Sequence, residues 1–448
     1  MIGKSPDMNQ RHILFPLLSD FIDMQHDLVL LAKKINWSYF EKEFAPLYSN
    51  TGQPGVPLRM MVGCLLLKQL HNLGDETLAK AWICNPYMQY FCGQSHFQHK
   101  FPFDPSAFVH FRKRIGESGF EKIFKHSVDL HFDKKDKDGR KMDERMVLSD
   151  TTVQENNTTF PTDAKLHKKI IDGCNRIAKK EGLVQRQTYT RKSKQFMRDI
   201  YNSNHPKRRQ KAQKAMRSLR TVAGRQVREL ERSLSLDLQK KYGEDLEIYQ
   251  KILLQERDSK NKIYSIHKPF TACICKGKAH KKYEYGNKIG LVTTAQSLVI
   301  TGIKAFFGNP YDGHTIEPLL DQMQENNFVL PKELIYDRGG KGSKKIKGVT
   351  ISIPSNPLKT DDSYTKQKKR KKFRRRAAIE AVISHLKHRF RMHQNYLHGE
   401  NGPQINAFLS ATAWNLQKLM NKLREEAKKI CFEILCRYFC KIESGKFA

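Results

Sequence analysis

The segment Met146-Val147-Leu148-Ser149-Asp150-Thr151-Thr152-Val153 is a run of apolar and β-branched residues with a carboxylate in its middle. Such a run reads as a strand, and the next strand signals come only after Lys262. They lie in Lys282 to Tyr285, Ile289 to Thr294 and Leu298 to Phe306. A helical pattern over Ile316-Leu319-Leu320-Met323 follows, then strands at Leu334 to Asp337 and Val349 to Ile353. Helices from about Arg374 to Phe390 and from about Gln404 to Phe439 close the chain. This order predicts an α/β sheet split by an inserted helical domain. The expected segments are 1–135 (all helical), 140–164 with 263–400 (the α/β core), 165–262 (the helical insert) and 401–448 (a C-terminal helical segment).

Helical spacing marks the first segment at Leu58, Met61, Val62, Leu65 and Leu66 and at Leu78, Ala81 and Trp82. After Asp104-Pro105-Ser106, Phe108, Phe111 and Ile115 share one face, while Arg112, Lys113 and Arg114 lie elsewhere. Short helices with a basic flank suit a helix-turn-helix-like DNA reader and equally suit a packing domain with solvated charges. In the insert, Met216, Leu219, Ala223, Val227, Leu230, Leu234 and Leu238 recur every three or four residues, as in a helical hairpin or coiled coil. The interleaved Arg217, Arg220, Arg225 and Arg228 fit a phosphate-lining face or a merely solvated one.

Charge narrows the partners. Among 448 residues, 81 Lys and Arg outnumber 46 Asp and Glu, giving a net charge of +35. With an apolar fraction of 39% the chain can still bury a large core. A polyanion is the implied partner, and nucleic acid suits it better than a membrane surface, since no apolar run approaches the ~20 residues of a spanning helix. The nine cysteines are odd in number and thinly spread, which fits reduced packing residues and a cytoplasmic, nucleoid-associated location.

Three acids stand out. Asp150 either lies within its strand or ends it at a turn. Asp337 closes a strand and is followed by Arg338-Gly339-Gly340-Lys341-Gly342, a turn without the spacing of a phosphate-cradling P-loop. On the later helix, Arg376, Glu380 and Lys387 are spaced by four and seven residues and return to one face, about a quarter turn from the stripe of Ile379, Val382, Ile383, Leu386 and Phe390. That face is a salt-bridged surface or an acid flanked by two cations. Taken together, three carboxylates suit hard divalent ions, which prefer oxygen ligands and can support in-line phosphoryl displacement as a pair. From Lys366 to Arg376, nine of eleven residues are basic, an expected phosphate-gripping arm. The histidines His385, His388, His393 and His398 lack the spacing of a closed zinc site.

At these residues the chain resembles a family. Asp150-Thr151-Thr152-Val153-Gln154-Glu155, Asn309-Pro310-Tyr311-Asp312-Gly313-His314-Thr315, Asp337-Arg338-Gly339, and Arg376 with Ile379-Glu380 and His385-Leu386-Lys387 look like bacterial insertion-sequence transposases of the IS-five group. The likeness extends to Gly55–Gly93 and Asn406–Leu416 and leaves out the basic insert. It implies an RNase H-like catalytic core interrupted by that insert, an N-terminal DNA-binding domain, and Asp150, Asp337 and Glu380 as catalytic, metal-holding acids. The implied metal is Mg²⁺, as two ions, with Mn²⁺ as a substitute. The implied partners are double-stranded DNA, as element ends and target, and a second copy of the chain on that DNA. Phe373, Arg376, Lys387, Arg338, Lys371 and Lys372 are the expected DNA contacts. Related transposases carry a tyrosine where this chain has Phe373, an aromatic at Gly340, proline at Ala381 and glycine at Ser384. The expected activity is strand cleavage and transfer at the ends of a mobile element. The rivals are a nuclease without strand transfer and an inactive DNA-binding derivative.

Overall fold

A computed structural model describes residues 3, 6–7, 16–49, 51–132, 145–201, 203–256, 258–275, 281–337, 344–353 and 356–443, with no side chains for 431 and 433–443. Its strands are β1 (Met146–Asn156), β2 (Ala272–Cys275), β3 (Tyr283–Thr294), β4 (Ile300–Phe306), β5 (Glu333–Ile335), β6 (Lys345–Ile346), β7 (Val349–Ser352) and β8 (Gln394–Asn395). They form one sheet in the order β2-β3-β1-β5-β7-β6, with β4 also on β3 and β8 on the far end of β1. β1 runs antiparallel to β3 and parallel to β5, which is parallel to β7. Asp150 pairs with Leu291 well inside the ladder, so the turn reading of Asp150 falls. The two strands expected over 282–285 and 289–294 are one, β3. Gly286 permits the join: a Cβ there would lie 1.9 Å from the Gln154 carbonyl oxygen.

The helices are α1 (Leu18–Phe21), α2 (Asp27–Lys34), α3 (Trp37–Phe44), α4 (Leu58–Leu70), α5 (Asp75–Ile83), α6 (Pro86–Phe91) and α7 (Ala107–Asp129) before the sheet. Next come α8 (Asp163–Lys180), α9 (Thr190–Ile200), α10 (Pro206–Ser233) and α11 (Leu236–Leu254), between β1 and β2. α12 (Ile316–Glu325), α13 (Ser363–His388) and α14 (Gly402–Glu443) complete the set. Among the described residues no helix is long and apolar enough to cross a membrane.

One core joins helices α2–α7 to the sheet. Leu65, Trp82, Phe108 and Phe124 share a cluster with Leu148, Leu291 and Ile335 of one sheet face, and with Leu386 of α13 and Phe408 of α14. α14 makes the union possible by covering β4, an edge strand whose outward backbone groups would otherwise lack partners. Asn415 accepts from Ile300 N at 2.9 Å and donates to Ile300 O at 3.0 Å. Gln404 accepts from Ala305 N at 2.6 Å and donates to Ile303 O at 3.1 Å. The other sheet face packs Val147, Val292, Leu334 and Tyr336 on Leu319 and Met323 of α12.

The expected basic flank of α7 is largely consumed within this body. α7 kinks at Gly116 (φ +59°), and before the kink Arg112 meets Asp75 at 2.8 Å while Lys68 meets the same carboxylate at 2.6 Å. Burial alone would raise the Asp75 carboxyl, but these two cations hold it below its ordinary value. Arg114 lies 4.4 Å over the Tyr48 ring, and Lys113 remains exposed.

Helices α8–α11 have a separate core of Ile170, Ile171, Leu219, Val227 and Tyr249. Of the two readings of the stripe, the structure shows a hairpin: α10 ends at Ser233, and Ser235 caps α11 by accepting from Leu238 N. Arg217, Arg225 and Arg228 are exposed, whereas Arg220 donates twice to the Leu253 carbonyl oxygen at the end of α11. Burial pushes the Cys174 thiol of this core up to about 12, as suits a packing residue. Cys273-Ile274-Cys275, expected only as apolar filler, forms most of β2.

Candidate active site

Strand parity brings two acids together. Side chains alternate along a strand, so Leu148 and Asp150 share one face of β1, and Ile335 and Asp337 share one face at the end of β5. Leu148 and Ile335 are register partners. The two aspartates, each two residues further on, therefore project side by side over the face that carries α13.

α13 supplies the third acid. It starts eleven residues earlier than expected, with Asp362 accepting from Thr365 N as its cap. The basic run is thus the first half of a helix and not a free arm, because Lys, Arg and Gln are good helix formers once a cap and a docked second half hold them. Ile379, Val382 and Leu386 bury that second half. One turn before Ile379, Arg376 enters between the acids. Its guanidinium lies 3.8 Å from Asp150 Oδ2, 3.4 Å from Asp337 Oδ1 and 2.9 Å from Glu380 Oε1. Thr151 N donates to Asp150 Oδ1 at 2.7 Å, which fixes that carboxylate further.

Arg376 sharpens one expectation. Arg376 and Glu380 were placed on a common face bordering the apolar stripe, and they do pair there, but the arginine side chain lies much deeper, 14% exposed against 62% for Glu380. Three gathered carboxylates repel one another, and a guanidinium drawn inward relieves that repulsion.

The other expected contacts are dispersed. Lys371 lines a groove of about 1490 Å³ between the first half of α13 and the start of β1 and β5, with Arg145, Lys332, Lys368, Arg370 and Arg374. Lys372 pairs with Glu333 of β5 and donates to Ser352 Oγ at 3.4 Å. Phe373 is 46% exposed. Lys387 is half-buried in the last turn of α13, about 10 Å along the axis from Glu380. Arg338 and the glycines after it lie outside the described residues.

All three donors at the acid site are carboxylates, a set suited to a hard divalent ion. Among the described residues no three His, Cys, Asp or Glu side chains close directly on one ion-sized space. The Arg376 guanidinium occupies the centre they surround. The donor chemistry therefore fits a hard divalent ion.

Sequence reasoning missed four residues near the acids: Glu333, Lys288, Tyr336 and Asp312. Only Asp312 carried a signal, as part of the quoted Asn309–Thr315 motif, and that motif had been given no role.

An acidic centre on a mixed sheet, bordered by a strongly basic groove, describes an enzyme site for a polyanionic substrate. The comparisons with known proteins agree. The family described as "Transposase domain (DUF772)" matches residues 16–114, and the family described as "Transposase DDE domain" matches residues 261–416. A relative from Rhizobium meliloti, "Uncharacterized protein ORF8 in nfe locus", is 38% identical over 191 residues, covering 42% of this chain and 90% of the relative. No solved structure matches the chain significantly. The chain belongs to the insertion-sequence DDE transposases. It is accordingly a DNA-binding, nucleic-acid-processing enzyme of a family that uses divalent metals.

Proposed function

We propose that this transposase cuts DNA at the ends of its own mobile element and joins the freed 3′ ends to a target, using Asp150, Asp337 and Glu380 as the catalytic acids. The observation that carries the reading is the meeting of these three carboxylates, from two adjacent strands and a helix, at one guanidinium. The strand order supports an RNase H-like core, with β4, β3 and β1 antiparallel and β1, β5 and β7 parallel. In this reading the helices α8–α11 are its basic insert.

The acids would hold Mg²⁺, as a pair of ions and with Mn²⁺ as substitute, and such ions activate the attacking oxygen and neutralise the leaving one. The protein's own part is positioning. Thr151 N orients the Asp150 carboxylate, and the buried half of α13 sets Glu380 over the strands. Arg376 supplies counter-charge to the three carboxylates and would offer its guanidinium to a phosphate of the bound strand. The groove cations bind the DNA backbone beyond the cut, each phosphate contact contributing to affinity through counterion release. Phe373, Arg338, Lys371, Lys372 and Lys387 act as further DNA contacts around the centre. The first seven helices read the element end, and two copies of the chain act on one DNA.

Incubation of the full chain with Mg²⁺ and labelled element-end DNA tests the reading. Nicked ends together with joined products support it. Hydrolysis without joining would assign a nuclease, and metal-independent binding with neither product would assign a DNA-binding derivative.

A further inference from the structure

The residues next to the two aspartates converge on one point behind the sheet. Thr151 follows Asp150 and Tyr336 precedes Asp337, so both point to the opposite face. Thr151 Oγ1 donates to Asp312 Oδ1 at 3.0 Å, and Tyr336 OH donates to the Asp312 carbonyl oxygen at 3.0 Å. Lys288 of β3, across β1 from β5, donates from Nζ to Asp312 Oδ1 at 2.8 Å and to Pro310 O at 2.7 Å. Thr315 Oγ1 donates to Asp312 O at 2.7 Å and closes the turn.

Asp312 thus holds three neighbouring strands at once: β3 through Lys288, β1 through Thr151 and the end of β5 through Tyr336. The anchors are rigid. Tyr336 is 1% exposed, and its hydroxyl is committed to the Asp312 carbonyl oxygen. The Lys288 side chain is 8% exposed and its charge is met by Asp312. Loop packing alone would require the Lys288 pair. It would not require hydroxyl contacts at the two positions adjacent to the acids.

We propose that Asp312 is a positioning residue, which sets the spacing of the Asp150 and Asp337 carboxylates from behind the sheet by holding Thr151 and Tyr336. The inference rests on the reading of those carboxylates as metal-holding acids. A metal site tolerates displacements of only about 0.5 Å, and loss of an outer hydrogen-bond partner commonly costs about 10–100-fold in metal affinity or activity.

Binding of Mn²⁺ to the full-length protein, followed by electron paramagnetic resonance, tests this without turnover. Thr151→Val and Tyr336→Phe should each weaken Mn²⁺ binding by about 10–100-fold, with DNA affinity unchanged and the fold retained, the lost hydrogen bond lowering the melting temperature only modestly. Thr151→Ser, which restores the hydroxyl, should recover the parent affinity. Parent-like Mn²⁺ binding in both Thr151→Val and Tyr336→Phe would overturn the proposal, as would a loss in Thr151→Val that Thr151→Ser fails to restore. Asp150→Ala separates the two levels. If it binds Mn²⁺ as the parent does, the acid-site reading itself fails and the positioning role with it; if it loses Mn²⁺ while Thr151→Val keeps it, only the positioning role fails.

Discussion

The two halves of α13 belong to one helix and have opposite fates. From Ser363 to Arg376 the helix is crowded with cations and borders an open groove. From Ala377 to His388 it buries Ile379, Val382 and Leu386 against the sheet. The inward face is continuous across both: Lys372 and Arg376 stand where the apolar stripe would extend, and they meet Glu333 and the three acids. A stripe that changes from apolar to cationic at a strand end marks where the protein exchanges core for site. The second half supplies the docking energy, and the first half projects charge where no core supports it.

Deleting the anchor should have the largest effect. Leu386→Ala removes a fully buried side chain and should cost roughly 2–5 kcal/mol of stability, read from urea unfolding, while the salt dependence of DNA binding stays that of the parent. A stability change below 1 kcal/mol, roughly the scale of a surface substitution, would break the contrast between the halves.

Arg376→Ala sits at the junction and should move two readouts in opposite directions. Without the guanidinium, the acids repel, and metal-free stability should fall by about 1 kcal/mol, the scale of a partly exposed ion pair. Mn²⁺ should bind more tightly, because no cation has to leave. Equal or weaker Mn²⁺ affinity would mean that Arg376 does not compete for the centre.

The same division between inward and outward cations recurs on α7, where Arg112 faces Asp75 and Lys113 faces solvent. The Asp75 carboxyl is held below its ordinary value in the fold. Its pairs therefore contribute stability above the unfolded value of about 4, and that contribution is lost as pH falls through the lower folded value. Asp75→Asn should flatten the acid limb of the stability profile, measured by thermal melts below pH 4. A limb as steep as the parent's would remove Asp75 from the account.

The smallest effect should come from the outermost charge. Lys371→Gln should leave stability within about 0.5 kcal/mol and lower the salt slope of DNA binding by roughly 0.9. An unchanged slope would mean that the groove cation is merely solvated.

Much of this arrangement was legible because it is local. β-branched residues around Asp150 marked a strand, and spacing marked the stripe of α13. What failed depended on partners distant in sequence. The residues from Gly286 to Lys288 carried no strand signal, although β3 runs through them and Gly286 lies tight against Gln154 of β1. The basic run read as an arm because periodicity could not see the cap at Asp362 or the docked half that extends the helix. Helix geometry placed Arg376 beside the stripe but could not show how deeply it turns in, because the aspartates that attract its long side chain come from other elements. The union of the first helices with the sheet was hidden for a related reason: an apolar face reveals that it is covered and not by what.

The central claim is that Asp150, Asp337 and Glu380 act as one site. Single-turnover cleavage of element-end DNA in Mg²⁺ by Asp150→Ala, Asp337→Ala and Glu380→Ala, alongside DNA binding by the same proteins, tests it most directly. Each substitution should abolish cleavage and leave DNA bound; full cleavage by Asp337→Ala would contradict the assignment.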